Sequence, residues 1–255
     1  MPEFKTLSVS TDGPVGRLVL ARPERLNALS PDTLRELAQA ARWLNRQPAL
    51  KVVTVAGEGR GFCAGFDLDD AAGRTKVDGE VVDLGRLMAE AIDDIRAITI
   101  ARIHGHCVGG GLVLAAACDL RVAAASARFS IPELDLGIPL AWGGIPRLVR
   151  ELGPAVAKEL VLTCRPFTAA EAHALRFLNR VVPDEQLDAE VQWFVDRLVG
   201  KSAYTLLATK RQVNAVAEQA GSTRESFRDA QTTVGALHDE ESIAVMKRYL
   251  KALGR

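Results

Sequence analysis

Two short glycine-rich stretches carry the residues best suited to chemistry. HGHCVGGGLVLAAACDL (residues 104–120) places three glycines at the mouth of an apolar run, and GEGRGFCAG (57–65) follows the strand-like KVVTVA. Glycine is a poor helix former, yet a helix is expected to begin at 109–111. Backbone N–H groups at a helix start lack intrahelical acceptors and feel the positive end of the dipole. Two such donors converging on one point would hold a developing oxyanion. Taken singly, each cluster reads as readily as a tight turn. Other glycine chemistries fail on spacing. Gly57, Gly59 and Gly61 give G-x-G-x-G, with no third glycine where a dinucleotide loop needs it. There is no G-K-[ST] and no G-x-S-x-G. His104 and His106 lack a third metal ligand at suitable spacing and read as a turn with partly buried imidazoles.

The elements that would position these turns alternate between strand and helix. LSVS and GRLVLA read as strands joined by TDGPVG. Ser30-Pro31 reads as N-cap and first residue of a helix, continued by Leu34, Leu37, Ala38, Ala41 and Leu44. KVVTVAG, TIARIHG and DLRVAAA read as buried strands, separated by helices over 80–97 and after the glycine run. From residue 143 nearly everything reads as helix, broken at Gly153-Pro154, Pro166, Pro183, Gly200 and Gly221. The alternation predicts an α/β layer with parallel strands, and no linker is rich enough in Pro, Gly or Ser to divide the chain.

The 255 residues are 48% hydrophobic and 25% charged, ordinary for a globular protein. Lys+Arg and Asp+Glu are both 32, so no basic excess marks a nucleic-acid binder. The run Val108–Cys118 is the longest apolar stretch and is too short to span a bilayer. The start MPEFKTLSVS lacks the basic-then-apolar signal pattern. Cys63, Cys107, Cys118 and Cys164 form no C-x-x-C pair and are expected to be buried reduced thiols. The expected setting is the cytoplasm, with no membrane partner.

Several segments, in order, resemble the crotonase superfamily, the enoyl-CoA hydratase/isomerase group. They are RPERLNALSPDTLREL (22–37), GRGFCAGFDL (59–68), GHCVGGGLVLAAACDLRVAA (105–124), FSIPELDLGIPLAWGGIPRLVRELG (129–153) and FTAAEAHALRFLNRVV (167–182). The resemblance covers nearly the whole chain. It implies an α/β fold of repeated β-β-α units stacked as a spiral with a helical C-terminal region. Residues 1–195 would form the spiral core and 196–255 the helical trimerisation region of a homotrimer, or of a hexamer made of two trimers. The implied ligand is a coenzyme A thioester, acting as substrate, with no cofactor and no metal.

By motif position, the thioester oxygen would sit between the N–H groups of Phe66 and Gly110. Arg22, Leu26 and Ala28, with Ala64, Asp67 and Leu68, match the CoA-contacting loops, and Arg22 and Arg25 could meet CoA phosphates. Hydratases of the family use two glutamates. One position is kept here as Glu133; the other is Val113, which has no proton to give. Leu140 stands where hydratases often have a small glycine. One carboxylate suffices to move a proton from C2 to C4 of an enoyl thioester, so the resemblance favours a double-bond isomerase with Glu133 as proton shuttle. A hydratase and a non-catalytic acyl-CoA-binding protein of the same fold remain the alternatives. Asp67, Asp69, Asp70 and Asp135 are further candidate acids, each also readable as a loop charge or cap.

Overall fold

The computed structural model describes residues 2–69, 79–223, 226, 228–252 and 254. A hairpin opens the chain. β1 (Leu7–Asp12) and β2 (Val15–Leu20) pair antiparallel across Gly13-Pro14, where Gly13 takes φ +52°. Alternate residues of β1 and β2 are buried, the period expected of a sheet with one covered face. β3 (Val52–Gly57), β4 (Ile98–Ile103), β6 (Leu120–Ala124) and β9 (Arg180–Val182) continue the same sheet in parallel, in the order β1-β2-β3-β4-β6-β9. A second sheet is built from β5 (His106–Val108), β7 (Arg128–Ser130) and β8 (Phe167–Thr168).

Helices connect the layers. α1 (Pro31–Leu44) begins as the sequence predicts: the Ser30 hydroxyl accepts from the Thr33 N–H at 3.1 Å, Pro31 occupies the first turn, and Leu34, Leu37, Ala38, Ala41 and Leu44 are buried. α2 (Gly79–Asp93) packs on α1, and the seven-residue α3 (Gly110–Ala116) is wholly buried. The chain winds as repeated units. β4, β5 and α3, and then β6, β7 and α4 (Gly144–Leu152), each give a strand to the main sheet, a short strand to the second sheet and a helix. The preceding turn has β3, a single bridge at Cys63 to Cys107, and α2. This is the β-β-α spiral.

Beyond α4 follow α5 (Pro154–Thr163), α6 (Ala169–Ala174), α7 (Leu187–Val199), α8 (Ala203–Ala220), α9 (Asp229–Ala236) and α10 (Glu240–Ala252). The expected breaks at Gly153, Pro166, Pro183, Gly200 and Gly221 lie between helices, and Pro154 is the first residue of α5. The helical reading of this third misses β8 and β9, strands of two and three residues, too short to impose a period of two. α7 runs across residue 195 and buries Leu187, Val191 and Val195 against Val52, Ile100 and Val122 of the main sheet. All four cysteines are buried free thiols. No described helix is long and apolar enough to cross a membrane.

Candidate active site

The segment 61–67 is held on both sides by backbone hydrogen bonds. On one side Ala64 donates to the Leu26 carbonyl, Leu29 donates to the Gly65 carbonyl, and Asp67 donates to the Leu29 carbonyl. On the other, Phe62 donates to His104, Cys63 donates to His106, and Val108 donates back to Cys63. In the parallel bridge between Leu29 and Phe66, the bonds run to residues 65 and 67. The Phe66 N–H therefore faces away from Leu29, and it has no acceptor among the described residues. Gly65 needs φ +89° to make this turn, and a Cβ there would stand 2.9 Å from the Val108 carbonyl oxygen and 3.6 Å from the Gly110 nitrogen. The two clusters noted in the sequence thus meet at Gly65 and Gly110.

Polar side chains fix the outer loop. Asn27, buried and at φ +57°, donates to the Glu58 and Gly61 carbonyls at 2.8 Å each and accepts from the Arg22 N–H at 3.0 Å. Asp67 is buried and paired with Arg22 at 2.9 Å and Arg25 at 3.0 Å. Burial pushes its carboxyl up, but hydrogen bonds and charge from the two arginines outweigh this and hold it below the usual range. Arg22 also donates to the Ala28 carbonyl at 2.7 Å, and Arg25 contacts Asp69. These side chains are engaged in ordering the loop. His104 is likewise taken up, by the Gly59 carbonyl at 2.9 Å and Arg102 at 3.1 Å. Among the described residues, no cluster of three His, Cys, Asp or Glu could hold a metal.

β5 and β7 run side by side, so the chains that leave them emerge together. Gly109 leaves β5 at φ +49° and donates to the Ser130 carbonyl at 3.0 Å; Gly110 begins α3 with an N–H that has no acceptor among the described residues. Ile131, Pro132 and Glu133 leave β7. The Glu133 carboxyl lies over Gly109, and a Cβ at 109 would stand 2.5 Å from its Oε1. Its Oε2 is buried and has no hydrogen-bond partner. Burial away from water raises the carboxyl from 4.5 to about 7, only slightly opposed by its own backbone N–H. An isolated buried carboxyl costs free energy and is retained most readily where chemistry uses it.

Phe66, Gly110 and Glu133 line one cavity of about 210 Å³. Of the site residues expected from sequence, the cavity also brings together Leu68, Val113 and Leu140. Arg22, Leu26, Ala28, Ala64 and Asp67 do not line it; they border the loop behind Phe66. Among the described lining residues, Glu133 is the one carboxyl. Asp67, Asp69 and Asp135 lie outside the wall, and Asp70 is not among the described residues. Val113 is fully buried and, with Leu140, packs against Gly144, where a Cβ would lie 3.0 Å from both side chains.

Sequence reading did not single out Val81 and Val82 of α2, Leu136, Ile138, Pro139 and Ala141, or two further parts of the wall. Trp142, at φ +62°, lays its ring over Gly85 and Gly110 and meets the Phe66 ring edge-on, with centroids 6.0 Å apart. The bare Cα positions of Gly85 and Gly110 make room for it: a Cβ would fall 1.9 Å and 2.3 Å from ring carbons. The second part comes from the chain's last helices, with Thr233, Leu237, Met246 and Leu250. The apolar spacing of Leu237, Met246 and Leu250 was available in the sequence, but nothing in it shows that these residues face Glu133.

Comparison with known proteins gives the family. Residues 11–251 match the family model described as enoyl-CoA hydratase/isomerase. A probable enoyl-CoA hydratase of Mycobacterium tuberculosis is 35% identical over 84% of this chain and 83% of its own. The peroxisomal Delta(3,5)-Delta(2,4)-dienoyl-CoA isomerase of Arabidopsis thaliana is 33% identical over 97% of each chain. The crystal structure of an enoyl-CoA hydratase/isomerase from Xanthobacter autotrophicus superposes with a TM-score of 0.87 at 26% identity, covering 98% of this chain and 97% of that one. With its spiral fold and with a family match spanning nearly its full length, the chain belongs to the enoyl-CoA hydratase/isomerase family of the crotonase superfamily.

Proposed function

We propose that the protein is an enoyl-CoA double-bond isomerase with Glu133 as its single proton carrier. The observation that carries this reading is the Glu133 carboxyl, the one acid among the described residues lining a largely apolar cavity, beside two backbone N–H groups that have no acceptor among those residues. The thioester oxygen of a 3-enoyl-CoA sits between the Phe66 and Gly110 amides. Ionised Glu133 takes a proton from C2, and the C–H electron pair becomes the enolate whose charge rests on that oxygen. The enolate collapses with C2=C3 forming, and C4 takes the proton back from Glu133. The proton count closes on one carboxyl, so no cofactor is called for. A carboxyl poised near neutrality suits both halves of the transfer.

Hydration of a 2-enoyl-CoA has a different requirement: one group takes a proton from water while another delivers one to C2. Val113 supplies none, and Val113, Leu140 and Gly144 fill the space in which a second acid would stand. The hydratase names of several relatives favour that second reading. Absorbance of the conjugated thioester separates the two, rising with isomerisation of 3-enoyl-CoA and falling with hydration of 2-enoyl-CoA. Isomerisation is expected to be at least about tenfold faster, since one acid–base partner is worth about 100-fold or more. Faster hydration refutes the proposal. Tight acyl-CoA binding without either reaction points to a non-catalytic binding protein. As in the resemblance set out above, we place the active form as a trimer, or two stacked trimers, in the cytoplasm.

A further inference from the structure

One polar residue of the cavity wall has no task in this reaction. Thr233 lies on α9, is 6% exposed, and its Oγ1 is buried with no hydrogen-bond partner. A mid-helix threonine hydroxyl can bond the carbonyl one turn back, here that of Asp229, and this one does not. Leaving a buried hydroxyl unpaired is unfavourable compared with a valine of the same shape. α9 is also held in a fixed orientation. Asp229, one turn before Thr233, accepts from the Gly143 N–H at 2.8 Å, which ties this face of the helix to the turn carrying Trp142. Thr233 and Leu237, spaced four apart, both line the cavity.

Thr233 is thus the second lining residue of this cavity with an orphaned polar atom, the first being Glu133 with its Oε2. Apart from the indole N–H of Trp142, the remaining described side chains of the wall carry no nitrogen or oxygen. A ligand with a purely hydrocarbon tail would leave the hydroxyl unpaired in the complex, whereas an oxygen on the tail would pair with it. We infer that Thr233 is a specificity-determining residue that hydrogen-bonds an oxygen, hydroxyl or carbonyl, carried by the acyl chain beyond the reacting carbons. A threonine hydroxyl donates and accepts, so it serves either group. The substrate class is then an oxygenated enoyl-CoA. The inference rests on the reading of this cavity as the acyl site.

The test reads affinity, which is separate from the double-bond shift. Saturated acyl-CoA thioesters of six to ten carbons are bound at equilibrium in matched pairs, with and without a hydroxyl or oxo group from C5 onward. At one chain position the oxygenated member should bind about three- to tenfold more tightly, the value of one neutral hydrogen bond. Thr233→Val should reduce that ratio to about one and leave the hydrocarbon chain bound at least as tightly; Thr233→Ser should keep the preference. Thermal denaturation of each variant checks that the fold is intact. Equal affinities across every pair in the unaltered protein, or a preference that survives Thr233→Val, overturn the inference while leaving the isomerase reading standing. Absence of binding by every acyl chain overturns the acyl assignment of the cavity itself. Loss of isomerisation with the binding preference retained counts against the isomerase alone.

Discussion

In the proposed mechanism Glu133 ties stability and activity to the same proton, and Glu133→Gln tests both. The carboxyl titrates at about 7 in the folded protein, against an ordinary 4.5. That difference corresponds to about 3 kcal/mol. Below pH 4.5 the carboxyl is neutral in the folded and unfolded chains, and burial brings no charge penalty. Between 4.5 and 7 the unfolded chain ionises while the folded one holds its proton, so stability is lost as pH rises through the folded value. Above about 7 both are ionised and the loss is complete. Glutamine carries no charge at any pH, so its own desolvation is a constant offset. The stability of Glu133→Gln relative to the unaltered protein should therefore climb by about 3 kcal/mol from pH 4.5 to 8 and then level off. Urea denaturation at half-unit steps of pH measures it. Over the same window kcat/KM of the unaltered protein should rise about tenfold per pH unit and reach a plateau above 7, because the carboxylate is the base. Glu133→Gln should lower turnover about 100-fold or more while retaining acyl-CoA binding. A stability difference that is flat with pH would show that Glu133 is not desolvated as described, and the acid–base argument would go with it.

The remaining predictions concern the surroundings of the two amides. Gly110→Ala places a methyl 2.3 Å from the Trp142 ring, so kcat/KM should fall at least about tenfold; adding Trp142→Ala should recover part of the loss, a coupling read by a double-mutant cycle. Asn27→Ala strands the Glu58 and Gly61 carbonyls and the Arg22 N–H, and puts alanine at φ +57°. It should cost about 3 kcal/mol or more in denaturant unfolding, at about 1–3 kcal/mol for each buried group left unpaired.

The legible parts of this protein are those written in local chemistry. Ser30-Pro31 announces α1 because an N-cap hydroxyl and a fixed φ act within one turn. The glycine clusters announce close backbone approach, and Gly65 and Gly110 do approach. What escaped depends on distant partners. β5, β7, β8 and β9 have two or three residues each and exist only because neighbouring strands offer hydrogen bonds. Trp142 reads as one more apolar residue before Gly143-Gly144, since its place depends on Gly85, far earlier in the chain. The pairing of Arg22 and Arg25 with Asp67 also lay outside the local pattern, which offered these arginines to CoA phosphates without showing the carboxylate between them. Thr233 gave no signal, because an orphaned hydroxyl is defined only by the packing around it.

The cavity draws its wall from two well-separated stretches. The two amides and the carboxyl fall between residues 66 and 133, whereas Thr233, Leu237, Met246 and Leu250 come from the final helices. On the functions proposed above, proton transfer and choice of tail are inherited on different portions of one gene. A lineage can exchange or mutate its last few dozen codons and acquire a new diet while its reaction stays untouched. Homologues that share the central motifs yet differ after α8 are then expected to diverge in what they consume sooner than in how they process it.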